Sequence, residues 1–196
     1  MKKYTLDPFL VYRHSLDDKT FFIDIDLDYY RELYNEWDFS PSNNRDLNED
    51  LLEYLSDCCE DIPWKYKLAI IFNLPVAVRE EEKEQRATDS IRSFIRYLIR
   101  REYASGRKKL RKVAIYALVG VILFAGAYLL EPYREVAVPF SILSEGLVVG
   151  AWVSFWEVFS VAFFGLSESW QRLSVLGRLL ESEIIYNYRE KVSTRD

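Results

Sequence analysis

The run SILSEGLVVGAWVSFWEVFSVAFFGL at residues 141–166 decides how the chain is read. It is apolar enough to lie in hydrocarbon, yet it carries Glu145 near its start and Glu157 well inside it. Projected as a helix, Gly146, Gly150, Ser154, Glu157 and Val161 fall within a sector of about 80°, with Trp152, Phe155, Trp156, Phe159 and Phe163 on the opposite side. Gly146 and Gly150 form a GxxxG pair extended by Ser154, a spacing that lets helix backbones approach closely. A carboxylate in a bilayer costs on the order of 2.5–3.5 kcal/mol on insertion scales, so such residues face a bundle interior or water. The segregation favours Glu157 on a shared polar seam over a protonated Glu157 that only glues helices, with the aromatic side toward lipid or a neighbouring helix. Glu145 falls near the outer interface, as a mouth ring or a solvated side chain.

Outward from this run, residues 113–130 contain no charge and span about 27 Å as a helix, enough to cross the hydrocarbon layer. Seven basic residues come just before them: Arg100, Arg101, Arg107, Lys108, Lys109, Arg111 and Lys112. The linker at 131–139 holds one, Arg134. By the positive-inside rule this asymmetry places the linker outside and both termini in the cytoplasm, on two spans. The basic cluster follows from topology and lipid attraction alone. Repeated around an oligomer, it would also hold a polyanion such as single-stranded nucleic acid, with Tyr97 and Tyr103 as stacking surfaces. Residues 167–188 read as an amphipathic helix with Trp170 as interfacial anchor and Arg172 and Arg178 keeping that end cytoplasmic.

The two halves differ in charge, with 21 acidic against 11 basic residues up to Asp89 and 10 against 15 after it. The first residues have charge but no apolar core or small-residue cleavage site, so they do not read as a secretory signal. Thr20 to Asp28 alternates Ile23, Ile25 and Leu27 with Asp24, Asp26 and Asp28, the pattern of a half-buried strand. Residues 15–19 before it read as a hairpin loop. Helical spacing over 29–37 places Tyr30, Leu33, Tyr34 and Trp37 on one side, and 39–45 reads as a loop. A second helix over 47–59 points Leu51, Leu52, Leu55 and Cys59 inward, and residues 66–74 are apolar enough for a central strand. From Glu80 to Lys112 an amphipathic helix connects this part to the first span, its apolar stripe packing on its own domain, on copies of itself, or on both.

Alternate carboxylates on one strand face are how nucleotidyltransferases hold two metal ions. Asp24, Asp26 and Asp28 have no Gly-Ser pair or glycine-rich loop before them, and the solvent face of an edge strand is often charged. The charged-face reading is preferred. Tyr29 and Asn35 stand where an EF-hand needs Gly and Glu. His14 is the one histidine, and the adjacent Cys58 and Cys59 match no disulfide or metal-ligand spacing, so they read as reduced, half-buried helix residues. No catalytic residue, metal site or cofactor is expected, and the chain does not read as an enzyme.

The fold class expected is an α+β cytoplasmic domain of three or four strands (1–79), a connecting amphipathic and basic helix (80–112), a transmembrane hairpin (113–166) and a C-terminal helix (167–196). That order of parts, with FFIDIDLDYY at 21–30 and EGLVVGAWVSFWE at 145–157, resembles the small two-helix membrane effectors of bacterial anti-phage defence, and most of all the effector of the Hailong type. The resemblance implies an oligomeric ion channel of the bacterial inner membrane. Single-stranded DNA oligomers made by a partner nucleotidyltransferase would hold it inactive, and their loss on infection would open it and depolarise the cell. The expectation is therefore a homo-oligomer, expected as a tetramer, with Gly146, Gly150, Ser154, Glu157 and Val161 lining a pore or helix seam. The alternative is a membrane-anchored adaptor that recruits a partner and has no pore.

Overall fold

A computed structural model of the chain describes residues 7–38, 40, 45–133 and 138–190. Most of the 39–45 loop and Arg134 of the linker lie outside these residues. The chain divides into two compact units, Met1–Arg100 with Leu173–Asp196, and Arg101–Arg172.

The first unit is built on a four-stranded mixed sheet in the order β1-β2-β3-β4. A short helix α1 (Pro8–Val11) leads into β1 (Arg13–Ser15), which is antiparallel to β2 (Thr20–Asp26). Helix α2 (Glu49–Asp61) is capped by Asn48, whose side chain accepts from the amides of Asp50 and Leu51. It leads to β3 (Lys67–Pro75), parallel to β2 with Ile23 opposite Ile70. From there α3 runs without interruption over Glu81–Leu130, joining what the sequence reading divided into a connecting helix and a first span. The second long helix is α4 (Val138–Ser160), which passes through one π-helical turn (Val161–Gly165) into α5 (Leu166–Glu181).

Three expectations about strands and helices are corrected. The helix read over 29–37 is one 3₁₀ turn, Tyr30–Leu33, because Tyr34 bridges to Leu47 and Asn35 turns the chain by accepting from the Trp37 amide. Tyr30, Leu33 and Tyr34 are buried as read, whereas Trp37 is 89% exposed. The second correction is larger. The C-terminal helix stops at Glu181 and the chain continues as β4 (Glu183–Arg189), parallel to β3 with Tyr186 opposite Phe72. Residues 183–189 alternate, with Ile184, Tyr186 and Tyr188 packing on the core and Glu183, Asn187 and Arg189 exposed, and β-branched and aromatic residues suit a pleated surface. Third, β2 lies between β1 and β3, so its acidic face is not that of an edge strand.

One face of the sheet carries the core. Phe21, Ile23, Leu68, Ile70, Phe72 and Leu74 meet Leu55, Cys58 and Cys59 of α2, Ala87, Ile91 and Ile95 of α3, and Val175, Leu176 and Leu179 of α5. Both cysteines are free and fully buried rather than half-buried. Burial pushes the Cys59 thiol up in pKa, against the opposing pull of Arg178.

Arg178 holds α5 to the rest of this unit. Its guanidinium donates to four backbone carbonyls, Cys59 O at 2.8 Å, Ile62 O at 2.7 Å, Pro63 O at 3.0 Å and Tyr66 O at 2.9 Å, and lies over the Trp64 ring. These are the orphan carbonyls of a helix end and the turn after it, where partial negative charge gathers. A planar fork satisfies them together, which a lysine cannot. β4 is tied in a second way: Tyr188 Oη donates to Glu84 of α3, which leaves Tyr30 Oη to donate to Tyr188 at 2.7 Å. Burial and the Glu84 carboxylate both push the Tyr188 hydroxyl up in pKa.

Orphaning a buried carbonyl costs about 1–3 kcal/mol, so Arg178→Ala is expected to lower unfolding stability by at least about 2 kcal/mol, with Arg178→Lys between it and the parent. Denaturant unfolding followed by tryptophan fluorescence checks this; equal stability of all three would refute the clamp.

Candidate functional site

The second unit holds the two helical segments that are long and apolar enough to cross a membrane, and only 11% of each apolar window is buried within the chain. A soluble core helix would be mostly covered; these faces are open.

The helices pack through small residues. Phe155 lies against Gly120, where a Cβ would come within 3.1 Å of its ring, and Leu123 lies against Gly150 at 3.2 Å by the same measure. Ser144 Oγ donates to Ala127 O, and Ser154 Oγ folds back onto Gly150 O at 2.9 Å. Ser144, Ala151 and Ser154 are buried in this contact. Of the seam residues read from sequence, Gly150 and Ser154 therefore face α3, Val161 opens the π turn, and Gly146 has open space around it. The GxxxG pair is split between an inner and an outer face. On the aromatic side, Phe155 packs on Gly120 and Phe124, while Trp152, Trp156, Phe159 and Phe163 are exposed. Trp152, Val153, Phe155, Trp156 and Phe159 line an apolar groove of about 440 Å³.

Glu157 has a partner in the chain. Lys112 Nζ donates to its Oε1 at 2.7 Å, with about a third of the Glu157 side chain exposed. Lys112 is the last charge before the apolar run of α3. The contacts at 144/127, 150/123 and 155/120 step as antiparallel helices do, so Glu157 falls within about two turns of the basic end of the hairpin rather than at its middle.

One turn further, Lys109 Nζ donates to Gly165 O at 2.9 Å and to the buried Ser169 Oγ at 2.8 Å. Gly165 closes the π turn, where backbone bonding is irregular, and a lysine fills the need. Sequence periodicity gave no sign of either pairing, because the partners lie 45 and 56 residues apart.

The seven basic residues are thereby sorted. Lys109 and Lys112 turn to the hairpin. Arg100, Arg101, Arg107, Lys108 and Arg111 are exposed and share a sector of about 120° on α3. Tyr97 and Tyr103, both more than half exposed, lie in or beside that sector. Five fixed positive charges with two aromatic faces suit a flexible polyanion.

The acidic triplet is dispersed. Arg13 holds Asp24 at 2.9 Å, Arg189 holds Asp26 at 2.9 Å, and the Asp28 amide donates to Glu32. Among the described residues no three His, Cys, Asp or Glu side chains converge on a metal position. His14 lies on β1, stacked on Phe21 and edge-on to Phe9, with Nδ1 3.2 Å from Tyr12 O.

Removing one member of the Lys112–Glu157 pair leaves the other charge without its partner at the edge of the apolar segments. Lys112→Met and Glu157→Gln should each lower the thermal stability of the detergent-solubilised protein, while the exchanged pair Lys112→Glu with Glu157→Lys recovers most of the loss. Additive losses in the exchanged variant would mean the two charges do not interact. No family model matches the sequence, and no curated protein or solved structure resembles it at a significant level.

Proposed function

We propose that the chain is a homo-oligomeric ion-channel effector of a bacterial inner membrane, with two spans and both termini cytoplasmic. The observation that carries this reading is the Lys112–Glu157 pair, a carboxylate within the apolar run of α4 neutralised by the lysine that precedes the apolar run of α3. Ionisable groups within membrane helices mark ion pathways more often than simple anchors. In the closed state Lys112 cancels the Glu157 charge. Release of Lys112 toward the basic end would leave an acidic ring around the assembly, which favours cations. Gly146, open on the outer face, and the aromatic groove offer surfaces for neighbouring copies and lipid.

The gating ligand in this reading is a polyanion on the exposed face of Arg100, Arg101, Arg107, Lys108 and Arg111. The resemblance to Hailong-type effectors supplies its identity, a single-stranded DNA oligomer made by a partner nucleotidyltransferase, and the setting, anti-phage defence. A ligand on this face acts on the same helix turns that carry Lys109 and Lys112, with Lys112 just beyond Arg101 at the edge of the sector.

One observation favours the adaptor: the small residues of the hairpin are largely spent on contacts within the chain, which suits a self-contained anchor. The two readings part on conduction. Purified protein in liposomes should pass monovalent cations, and short single-stranded DNA should suppress the flux. Arg107→Glu with Lys108→Glu and Arg111→Glu should remove the suppression while leaving the flux. An intact oligomer with no flux under either condition would establish the adaptor instead.

A further inference from the structure

Strand β4 ends the sheet, with a hydrogen-bonded neighbour on one side only among the described residues. Exposed edges template pairing with other chains, and proteins guard them by shortness, lysine, proline or bulges. The opposite edge is guarded by shortness, since β1 has three residues. β4 has seven, with no lysine or proline, and Ile184, Ile185, Tyr186 and Tyr188 along it are all partly exposed.

Its sequence is also self-complementary. Read against an antiparallel copy centred on Tyr186, Glu183 faces Arg189 at both ends, Ile184 faces Tyr188, and Ile185 faces Asn187. Opposite charges and aromatic with β-branched residues are the favourable cross-strand pairs. A slip of one residue in one direction sets Glu183 against Glu190, and in the other it leaves both charges without a counterpart. Arg189 already holds Asp26 and has donors left for a second carboxylate.

We propose that β4 pairs with β4 of a second copy, antiparallel about Tyr186, so that two four-stranded sheets become one of eight strands. The contact is isologous, the same strand on both sides of a twofold axis. It lies on the soluble unit and holds whether or not the hairpins conduct ions.

The register gives a direct test. A Glu183→Cys copy and an Arg189→Cys copy, carrying different tags, are co-expressed as full chains and treated with a short bismaleimide. Both sites are exposed, so no core group is lost, and Cys58 and Cys59 are fully buried and stay unreactive. The mixed dimer places the two new cysteines opposite each other and keeps the second Glu183–Arg189 pair intact. Like positions in this register lie about 20 Å apart, beyond the linker. The expected result is one product of twice the monomer mass that carries both tags, with little from either variant alone. Absence of the mixed product, or equal cross-linking of Glu183→Cys with itself, would overturn the pairing.

Discussion

Parallel pairing of β4 with β3 constrains everything between them. Pro75 ends one strand, Glu183 begins its neighbour, and the intervening chain includes both long apolar segments. The chain must leave the sheet and come back to it. If those segments enter a bilayer, they must cross an even number of times, because strands before and after the excursion share one ladder. Arg178 and the Tyr30–Tyr188–Glu84 chain of hydroxyls secure the return, the first through four carbonyls and the second through a carboxylate. The positive-inside asymmetry reaches the same arrangement from charge alone.

Within the hairpin, packing and charge are divided along the helices. Toward the linker the contacts are small and neutral, Ser144 on Ala127 and Leu123 on Gly150. Toward the basic end they become ionic and irregular, with Lys112 on Glu157 and Lys109 on the π turn. A hairpin built only to anchor has no need of an ammonium–carboxylate pair bridging its two helices. The proposal of a gated path rests on that pair, and on its place beside the exposed basic sector of α3.

Much of this was legible in the sequence because it repeats with a period. Alternation marked β2, continuous apolarity marked β3, charge-free length marked the apolar part of α3, and an apolar run broken by two glutamates marked α4. The missed strand shows where period fails: leucines at helical spacing through Leu180 lead straight into Ile184-Ile185-Tyr186, and a short alternating run after a strong helix looks like its continuation. The helix read over 29–37 failed for the opposite reason, since Asn35 and the Leu47 bridge redirect a segment whose spacing alone suits a helix. Arg178 reads as a cation holding topology until the carbonyls of Cys59 and Tyr66 are seen around it. Glu157 was conspicuous as a charge in an apolar run, but its partner was hidden among seven similar basic residues. Long-range pairs have no periodic signature, and they are what turns a polar position into a site.

Topology is the claim on which the rest stands, and cysteine accessibility in intact cells measures it most directly. With the native thiols buried, Glu131→Cys in the linker should react with a membrane-impermeant maleimide from outside. Asp18→Cys and Asn187→Cys, on either side of the hairpin in sequence, should react only after the membrane is opened. Labelling of either sheet residue in intact cells, or protection of Glu131→Cys, would contradict the proposed two-span hairpin with the sheet on the cytoplasmic side.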